Sequence, residues 1–244
     1  MLFLNLGCGW KTSDHPGVVN IDWSVMLRIR TNPIYRLFVP LLLKGDRLEH
    51  FRSLSKNIRV HNLAKGIPFP DGSADYAYHS HVLEHIDRDI APLFIRETFR
   101  VLKPGGILRI AVPDMERNCR NYLAHVDRCE KEGSAVIAQH DATLEPILEQ
   151  AVRREAGGTS TQGSLRRRIE NLILGDARQR GETHQWMYDR FNLEHLLRTC
   201  GFAQIQRQEF NTSAISDWLA YGLDQDEKGG EYKPGSLYIE ATKA

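Results

Sequence analysis

The sequence predicts an α/β fold in which a mainly parallel sheet is covered by helices. Short apolar runs rich in β-branched residues alternate with longer helical stretches along the 244-residue chain. That alternation is typical of strand–helix units built around a parallel sheet. A strand, a glycine turn and a second strand occupy residues 2–24. Because glycine has no side chain, the turn leaves room for a ligand at the carboxyl end of the first strand.

This opening stretch contains the first candidate site residues. The run Phe3–Leu6 is short and apolar, and Gly7-Cys8-Gly9 then turns the chain. The second strand, Val18–Ile21, stops at Asp22. An acid at the tip of the neighbouring parallel strand can accept hydrogen bonds from both hydroxyls of a ribose. The alternative is a structural turn beside a surface aspartate, since glycine-rich turns are common.

The connection between these two strands is too short for an ordinary crossover helix. Parallel neighbours usually need a dozen or more connecting residues. Residues 10–17 include the turn formers Asp14, Pro16 and Gly17. A pyrophosphate is best bound at a helix amino terminus, and the full G-x-G-x-x-G pattern is absent. The sequence therefore disfavours a nicotinamide-dependent oxidoreductase.

Composition limits the other function classes. A net charge of +1 argues against a dedicated nucleic-acid binder. Residues 28–59, however, contain about eight Lys or Arg and only two acids. This local positive charge is compatible with an anionic ligand or an RNA substrate. The four cysteines lack metal-ligand or redox spacing, which favours reduced thiols and a cytoplasmic location. The chain starts at its first strand, so we expect no signal peptide.

We expect a single domain over 1–244 with two insertions. The predicted later strands are 58–62, 74–79, 107–112, 205–210 and 237–241, and the clearest helices are 89–102 and 192–200. Residues 26–56 form an apolar, proline-broken insertion that predicts a lid, with peripheral membrane contact as the alternative. The run 38–43 is too short to span a bilayer. Residues 115–180 carry no strand pattern and predict a helical cap.

Several motifs in order resemble those of class I S-adenosylmethionine-dependent methyltransferases, in particular small-molecule enzymes with a truncated first helix. The resemblance covers residues 2–114, with a weaker similarity at 184–202. It implies a three-layer, Rossmann-like, seven-stranded sheet in the order 3-2-1-4-5-7-6 with the last strand antiparallel. The motifs are Leu4-Asn5-Leu6-Gly7-Cys8-Gly9, Asn20-Ile21-Asp22, Pro68-Phe69-Pro70-Asp71-Gly72-Ser73-Ala74-Asp75, His81-Val82-Leu83-Glu84-His85 and Val101-Leu102-Lys103-Pro104-Gly105-Gly106.

The resemblance also implies S-adenosyl-L-methionine as cofactor and assigns residues to it. Glycines of the first turn would approach its amino-acid and ribose portion, Asp22 would hold the ribose, and Trp23 would lie against the adenine. Asn62 and the amide of Leu63 would meet the adenine edge, and Ser80 and His81 would lie near the methyl group. The implied cofactor-binding set is Gly7, Cys8, Gly9, Asp22, Trp23, Asn62, Leu63, Ser80 and His81.

Two positions depart from the family pattern. Trp10 replaces a third small residue, which puts the carboxylate end of the cofactor pocket in doubt. Asn62 replaces the usual acid, but an amide oxygen can still accept a hydrogen bond from the adenine amine.

An oxygen or nitrogen acceptor would benefit from a base, and histidine titrates in the useful range. His81, after the fourth predicted strand, and His184, in a cluster with Trp186 and Tyr188, are the candidate catalytic residues. Helix capping for His81 and packing for His184 are the structural alternatives. We predict no metal, because His79, His81 and His85 lack a carboxylate or cysteine to complete a ligand set.

The leading hypothesis is a soluble methyltransferase that acts on an O or N atom of a small or glycan-like acceptor. The alternative is a non-catalytic S-adenosylmethionine-binding regulator or partner protein, which Trp10 and the missing helix would suit. The oligomeric state is left open.

Overall fold

The computed structural model describes residues 1–23, 27, 30, 39, 46–53, 57–132, 134–137, 139–150 and 183–244. A seven-stranded sheet forms its centre. The strands are β1 (Phe3–Leu6), β2 (Val18–Asp22), β3 (Ile58–Val60), β4 (Ala74–Ser80), β5 (Leu102–Pro113), β6 (Phe202–Gln208) and β7 (Ser236–Lys243). The described helices are α1 (Asp46–Ser53), α2 (Ala91–Val101), α3 (Met115–Glu132), α4 (Ser134–Ile137), α5 (Asp141–Gln150) and α6 (Arg190–Thr199).

The sheet has the order β3-β2-β1-β4-β5-β7-β6, which confirms the predicted fold. Strands β3, β2, β1, β4 and β5 run parallel, while β7 lies antiparallel between β5 and β6. Strand β1 is flanked by β2 and β4, so the chain order reverses at its carboxyl end. In open α/β sheets this switch point is where ligands bind.

The predicted strands and helices differ from the observed ones mainly at their ends. Strand β5 begins at Leu102, not at 107, because Leu102 already pairs with Ala74, and the register then shifts before Ile107 pairs with Tyr76. Helix α2 begins at Ala91, with Ile90 as an N-cap that has no side-chain hydrogen bond. Helix α6 ends as predicted before Gly201, whose φ of +98° suits glycine.

Apolar side chains cover both faces of the sheet. On one face, the buried residues of β1, β4 and β5 pack with α2 and α6. On the other, Phe3 and Tyr78 pack with Trp218 and Tyr221 of a short 3₁₀ helix. These layers fix the strand tips from which the site is built.

The two predicted insertions are described only in part. Within 26–56, α1 is described, and Leu27, Val39 and Phe51 form a small buried cluster beside β3. Within 115–180, the described residues are the helices α3 to α5 and the turns beside them. The rest of both segments lies outside the described residues, so the lid and cap roles stay predictions. Among the described helices, none is long and apolar enough to cross a bilayer.

Candidate functional site

A cleft of about 420 Å³ opens at the carboxyl ends of β1, β2 and β4. This is the volume range of small-molecule sites. Its walls include six of the predicted cofactor residues, whereas Cys8, Gly9 and Ser80 do not line it. The six lining residues are Gly7, Asp22, Trp23, Asn62, Leu63 and His81.

The glycine turn lies against the tip of β2. Gly7 and Gly9 have φ of +68° and +51°, in the region that favours glycine. A Cβ on Gly7 would come within 2.6 Å of Val82 Cγ2. The Gly9 amide donates to Asp22 Oδ2 at 2.7 Å, which fixes the carboxylate next to the turn. Sequence reasoning placed both groups at this edge, and the structure shows them hydrogen-bonded.

Cys8 contributes to the turn through its backbone. Its amide donates to the Ile21 carbonyl at 3.1 Å, while its side chain is buried. Burial raises the pKa of the Cys8 thiol far above its ordinary range, and the nearby Asp22 carboxylate raises it further. This thiol stays protonated and is unsuited to nucleophilic chemistry.

Two buried asparagines hold the short crossover in place of a helix. Asn5 Nδ2 donates to the Lys11 carbonyl and to Asn20 Oδ1, both at 2.9 Å. Asn20 Oδ1 also accepts from the Ser13 amide at 3.1 Å, and its Nδ2 donates to the Ser13 carbonyl at 2.9 Å. These bonds satisfy backbone groups of residues 11–13 that a helix would otherwise pair. The sequence analysis missed this network.

The two tryptophans next to the strand tips are both 47% exposed, but they differ in position. Trp23 lines the cleft and Trp10 does not. The bulky side chain at position 10 therefore lies away from the described cleft. The doubt that Trp10 raised about the carboxylate end is reduced by this placement.

Asn62 lies at the adenine end of the predicted site and has a second role. Its Oδ1 accepts from the Ala64 amide at 3.0 Å and caps the 3₁₀ turn Leu63–Lys65. An amide oxygen has two lone pairs, so one remains for a ligand.

His81 is held at the end of β4 with φ of +53°. Its Nε2 lies 2.9 Å from Ser236 Oγ, and that hydroxyl donates to the Lys233 carbonyl. Its Nδ1 lies 3.1 Å from Glu84 Oε1. Both ring nitrogens thus face protein groups, although the ring lines the cleft. This arrangement suits positioning of Glu84 better than free proton exchange.

Glu84 is a buried carboxylate on the short 3₁₀ helix that follows β4. It is 1% exposed, and neither oxygen has a hydrogen-bond partner among the described residues. The contact with His81 is an ion pair in which His81 Nδ1 lies 3.1 Å from Glu84 Oε1. Burial raises the pKa of Glu84, but the side-chain contact with His81 and the charges of His81 and His85 outweigh burial, so the pKa lies below the ordinary value.

His184 is brought to the same group by a loop about 100 residues later in the chain. The Glu84 carbonyl accepts from the Gln185 amide at 2.6 Å, which ties the loop to the end of β4. The His184 and His85 rings are 4.8 Å apart, edge to face. His85 lines the main cleft, whereas His184 and Glu84 line a small neighbouring cavity. The sequence signal for His85 and Glu84 was present in the motif but pointed equally well to helix packing.

Comparisons with known proteins support the fold assignment. A family model described as a methyltransferase domain matches residues 43–110. A probable S-adenosylmethionine-dependent methyltransferase of Mycolicibacterium smegmatis is 43% identical over 58 residues, 24% of this chain and 21% of that protein. The probable methyltransferase ltbC of Aspergillus luteorubrus is 26% identical over 174 residues, 68% of this chain and 54% of that protein.

Among solved structures, a protein of Thermotoga maritima titled an S-adenosylmethionine-dependent methyltransferase, possible histamine N-methyltransferase, is 16% identical. The match covers 100% of this chain and 82% of that one, with a TM-score of 0.40.

The sheet order, the ordered motifs and the methyltransferase domain matched at residues 43–110 together support a class I S-adenosylmethionine-dependent methyltransferase. The chain spans 21% and 54% of the length of the two curated relatives.

Proposed function

We propose that this protein transfers the methyl group of S-adenosyl-L-methionine to an O or N atom of a small or glycan-like acceptor. The observation that carries the proposal is the Asp22 carboxylate held 2.7 Å from the Gly9 amide at the edge of the cleft. An acid fixed there can accept from two ribose hydroxyls, as in other nucleoside-binding α/β folds.

The described cleft fits this cofactor in size and chemistry. Asp22 would hold the ribose, Trp23 would cover one adenine face, and Asn62 with the Leu63 amide would meet the adenine edge. Gly7 would let the cofactor's amino-acid end approach the backbone. Gly9 does not line the cleft and would act by holding Asp22 through its amide, and Cys8 and Ser80 would support the strand tips without lining the cleft.

When bound, the cofactor supplies an electrophilic methyl group on a sulfonium that becomes neutral on transfer. The protein must therefore align the acceptor, exclude water and handle the acceptor's proton. The polar group at the end of β4 is where we place that last role. His81 and His184 belong to it, with Glu84 and His85 between them.

Within this group we propose different roles for the two predicted catalytic histidines. His81 has both nitrogens directed at protein groups, so it would orient Glu84. His184 has a ring nitrogen within 4.8 Å of ligand atoms of Glu84 and His85, and it would serve the acceptor side of the site. A cytoplasmic location is part of the proposal and is supported by the four free cysteines.

Calorimetry with S-adenosylhomocysteine tests the cofactor assignment. We expect binding at one site per chain, and an absence of binding would overturn the proposal. An isotope-labelled methyl donor with a panel of hydroxyl and amine acceptors then tests transfer. Binding without transfer to any acceptor class would support the non-catalytic alternative instead.

A further inference from the structure

A three-residue group of potential metal ligands lies beside the cofactor cleft. One ligand atom each from Glu84, His85 and His184 lies within 4.8 Å of the others. The group stands between the main cleft, which His85 lines, and the small cavity that Glu84 and His184 line.

The Glu84 carboxylate is the first reason to expect a cation. Both oxygens are buried without a hydrogen-bond partner in the described part of the chain. A buried ionised carboxylate that lacks such partners is costly. The Lys233 ammonium group is near enough to interact electrostatically with the Glu84 carboxylate. Among the described residues, however, no ion pair within 4.0 Å joins the two. The carboxylate thus keeps lone pairs that a cation would use.

The tautomer of His85 is the second reason. Its Nδ1 lies 3.3 Å from the Thr183 carbonyl oxygen, which can only accept. Nδ1 therefore carries the hydrogen and Nε2 keeps its lone pair. A ring nitrogen fixed in this way by a backbone carbonyl is the usual outer arrangement of a metal-binding histidine.

We propose that Glu84, His85 and His184 bind one divalent transition-metal cation, which activates the methyl acceptor. Two imidazoles and one carboxylate form the donor set of catalytic sites that keep an open coordination position. This inference rests on the proposed function, because the open position would be taken by the acceptor's hydroxyl. His81, at 3.1 Å from Glu84, would hold the carboxylate in place.

The cation would replace a strong general base. It lowers the pKa of the bound hydroxyl, which releases its proton to solvent. The oxygen lone pair then forms the new bond to the methyl carbon, and the carbon–sulfur electron pair returns to sulfur. The cation neither gains nor loses electrons.

Cobalt(II) titration followed by visible absorption tests this site without an activity assay. The titration uses a Cys129→Ser background, which removes the thiolate of the second group of potential ligands described below. In that background we expect a ligand-field band that Glu84→Gln and His184→Asn each abolish, while His195→Asn, an exposed control on α6, keeps it. S-adenosylhomocysteine calorimetry on the same samples shows whether each variant is folded.

Each outcome decides between the two proposals. A wild-type protein that binds S-adenosylhomocysteine but gives no cobalt band overturns the metal site and leaves the proposed function intact. A band that survives both substitutions also overturns the site. A protein that binds cobalt through these residues but not S-adenosylhomocysteine retains the metal site and loses the methyltransferase proposal.

A second group of potential metal ligands, formed by residues of α3 and of the turn before α5, carries a separate inference. His125 and Cys129 are one turn apart on α3, and His140 precedes α5. The two Nδ1 atoms are 3.2 Å apart, and Cys129 Sγ lies 3.3 Å from that of His125 and 3.8 Å from that of His140. His140 lies in a turn outside α3, so the spacing of the cysteines alone did not reveal this group.

These distances match those between ligands around tetrahedral zinc. Zinc binds nitrogen at about 2.0–2.1 Å and sulfur at about 2.3 Å, which places ligand atoms roughly 3.3–3.8 Å apart. We infer that His125, Cys129 and His140 bind zinc and join α3 to the start of α5. Three protein ligands leave the fourth tetrahedral position to a water molecule or another group.

The sulfur ligand gives this site its own signal. Cobalt(II) should produce a near-ultraviolet thiolate charge-transfer band that Cys129→Ser removes and that Cys119→Ser, on the same helix, retains. Glu84→Gln should leave this band unchanged. No such band in the wild-type protein, or a band that persists in Cys129→Ser, would overturn the inference.

Discussion

Replacing Asp22 by Asn should weaken cofactor binding without unfolding the protein. The carboxylate accepts from the Gly9 amide at 2.7 Å and lies in the cleft wall. An asparagine oxygen can keep the bond to Gly9, so the turn should survive. It cannot also accept from two ribose hydroxyls, and it carries no charge.

The expected loss follows from the bonds that change. Hydrogen bonds to a charged group contribute about 1.5–3 kcal/mol. Losing one and its charge should raise the Kd for S-adenosylhomocysteine by about 10- to 100-fold.

Calorimetry at fixed pH measures this loss, with Asp14→Asn as the matched control. Asp14 is an exposed aspartate of the same connection. An Asp22→Asn protein that binds as tightly as wild type would refute the ribose assignment, and so would an equal loss in the control.

Three further substitutions test the fold around the site. Gly7→Ala should lower thermal stability and cofactor affinity, since its Cβ would meet Val82 at 2.6 Å and a positive φ costs an alanine about 1–2 kcal/mol. Arg109→Met should cost about 3–5 kcal/mol in denaturant unfolding, because Arg109 is fully buried and bonds two buried carboxylates. His79→Leu should make the free energy of unfolding depend less on pH. Burial lowers the His79 pKa from 6.5 to about 4, although the charge of Glu84 opposes this shift.

The sign of the pH effect follows from proton uptake. The unfolded chain protonates His79 below pH 6.5, and the folded chain does so only near 4, so the contribution is complete above 6.5 and is lost as the pH falls. The wild-type slope attributable to His79 should be about 1.4 kcal/mol per pH unit. Equal slopes in wild type and His79→Leu would contradict this account.

The other two substitutions have their own controls. Adding Val82→Ala should restore part of the thermal stability that Gly7→Ala loses. If it restores none, the whole loss comes from backbone strain at position 7. Lys103→Met, which breaks the surface pair with Asp75, should cost less than about 1 kcal/mol. A cost as large as that of Arg109→Met would contradict the burial argument.

Local patterns predicted the cofactor half of the site because they lie within a few residues of each other. The sequence shows where β1 and β2 end, because Gly7-Cys8-Gly9 follows one strand and Asp22 closes the other. Parallel pairing of the two strands places their carboxyl ends side by side. Sequence reasoning also predicted a crossover without a helix at 10–17. It did not find what replaces the helix, since Asn5 and Asn20 look like ordinary strand residues until their hydrogen bonds are seen.

The acceptor half was harder to predict because it joins residues about 100 positions apart. Glu84 follows β4, and His184 comes from a loop that its carbonyl binds through Gln185. The motif shows only that Glu84 and His85 are neighbours on one short helix. Side chains in such positions often serve helix packing, so the motif alone did not mark them as site residues. Only the fold shows that this carboxylate is buried without a hydrogen-bond partner in the described chain.

This difference between the two halves has a chemical cause. Cofactor binding uses backbone groups and one carboxylate at neighbouring strand tips, so a short sequence specifies it. Acceptor chemistry needs charged groups in a site that excludes water. The buried Glu84 carboxylate is stable there only if histidines from separate segments surround it. The loop that ends in Tyr188 therefore serves both stability and chemistry. Substitutions of His184 should change the electrostatics of Glu84 as well as the acceptor site, and the metal titration separates the two effects.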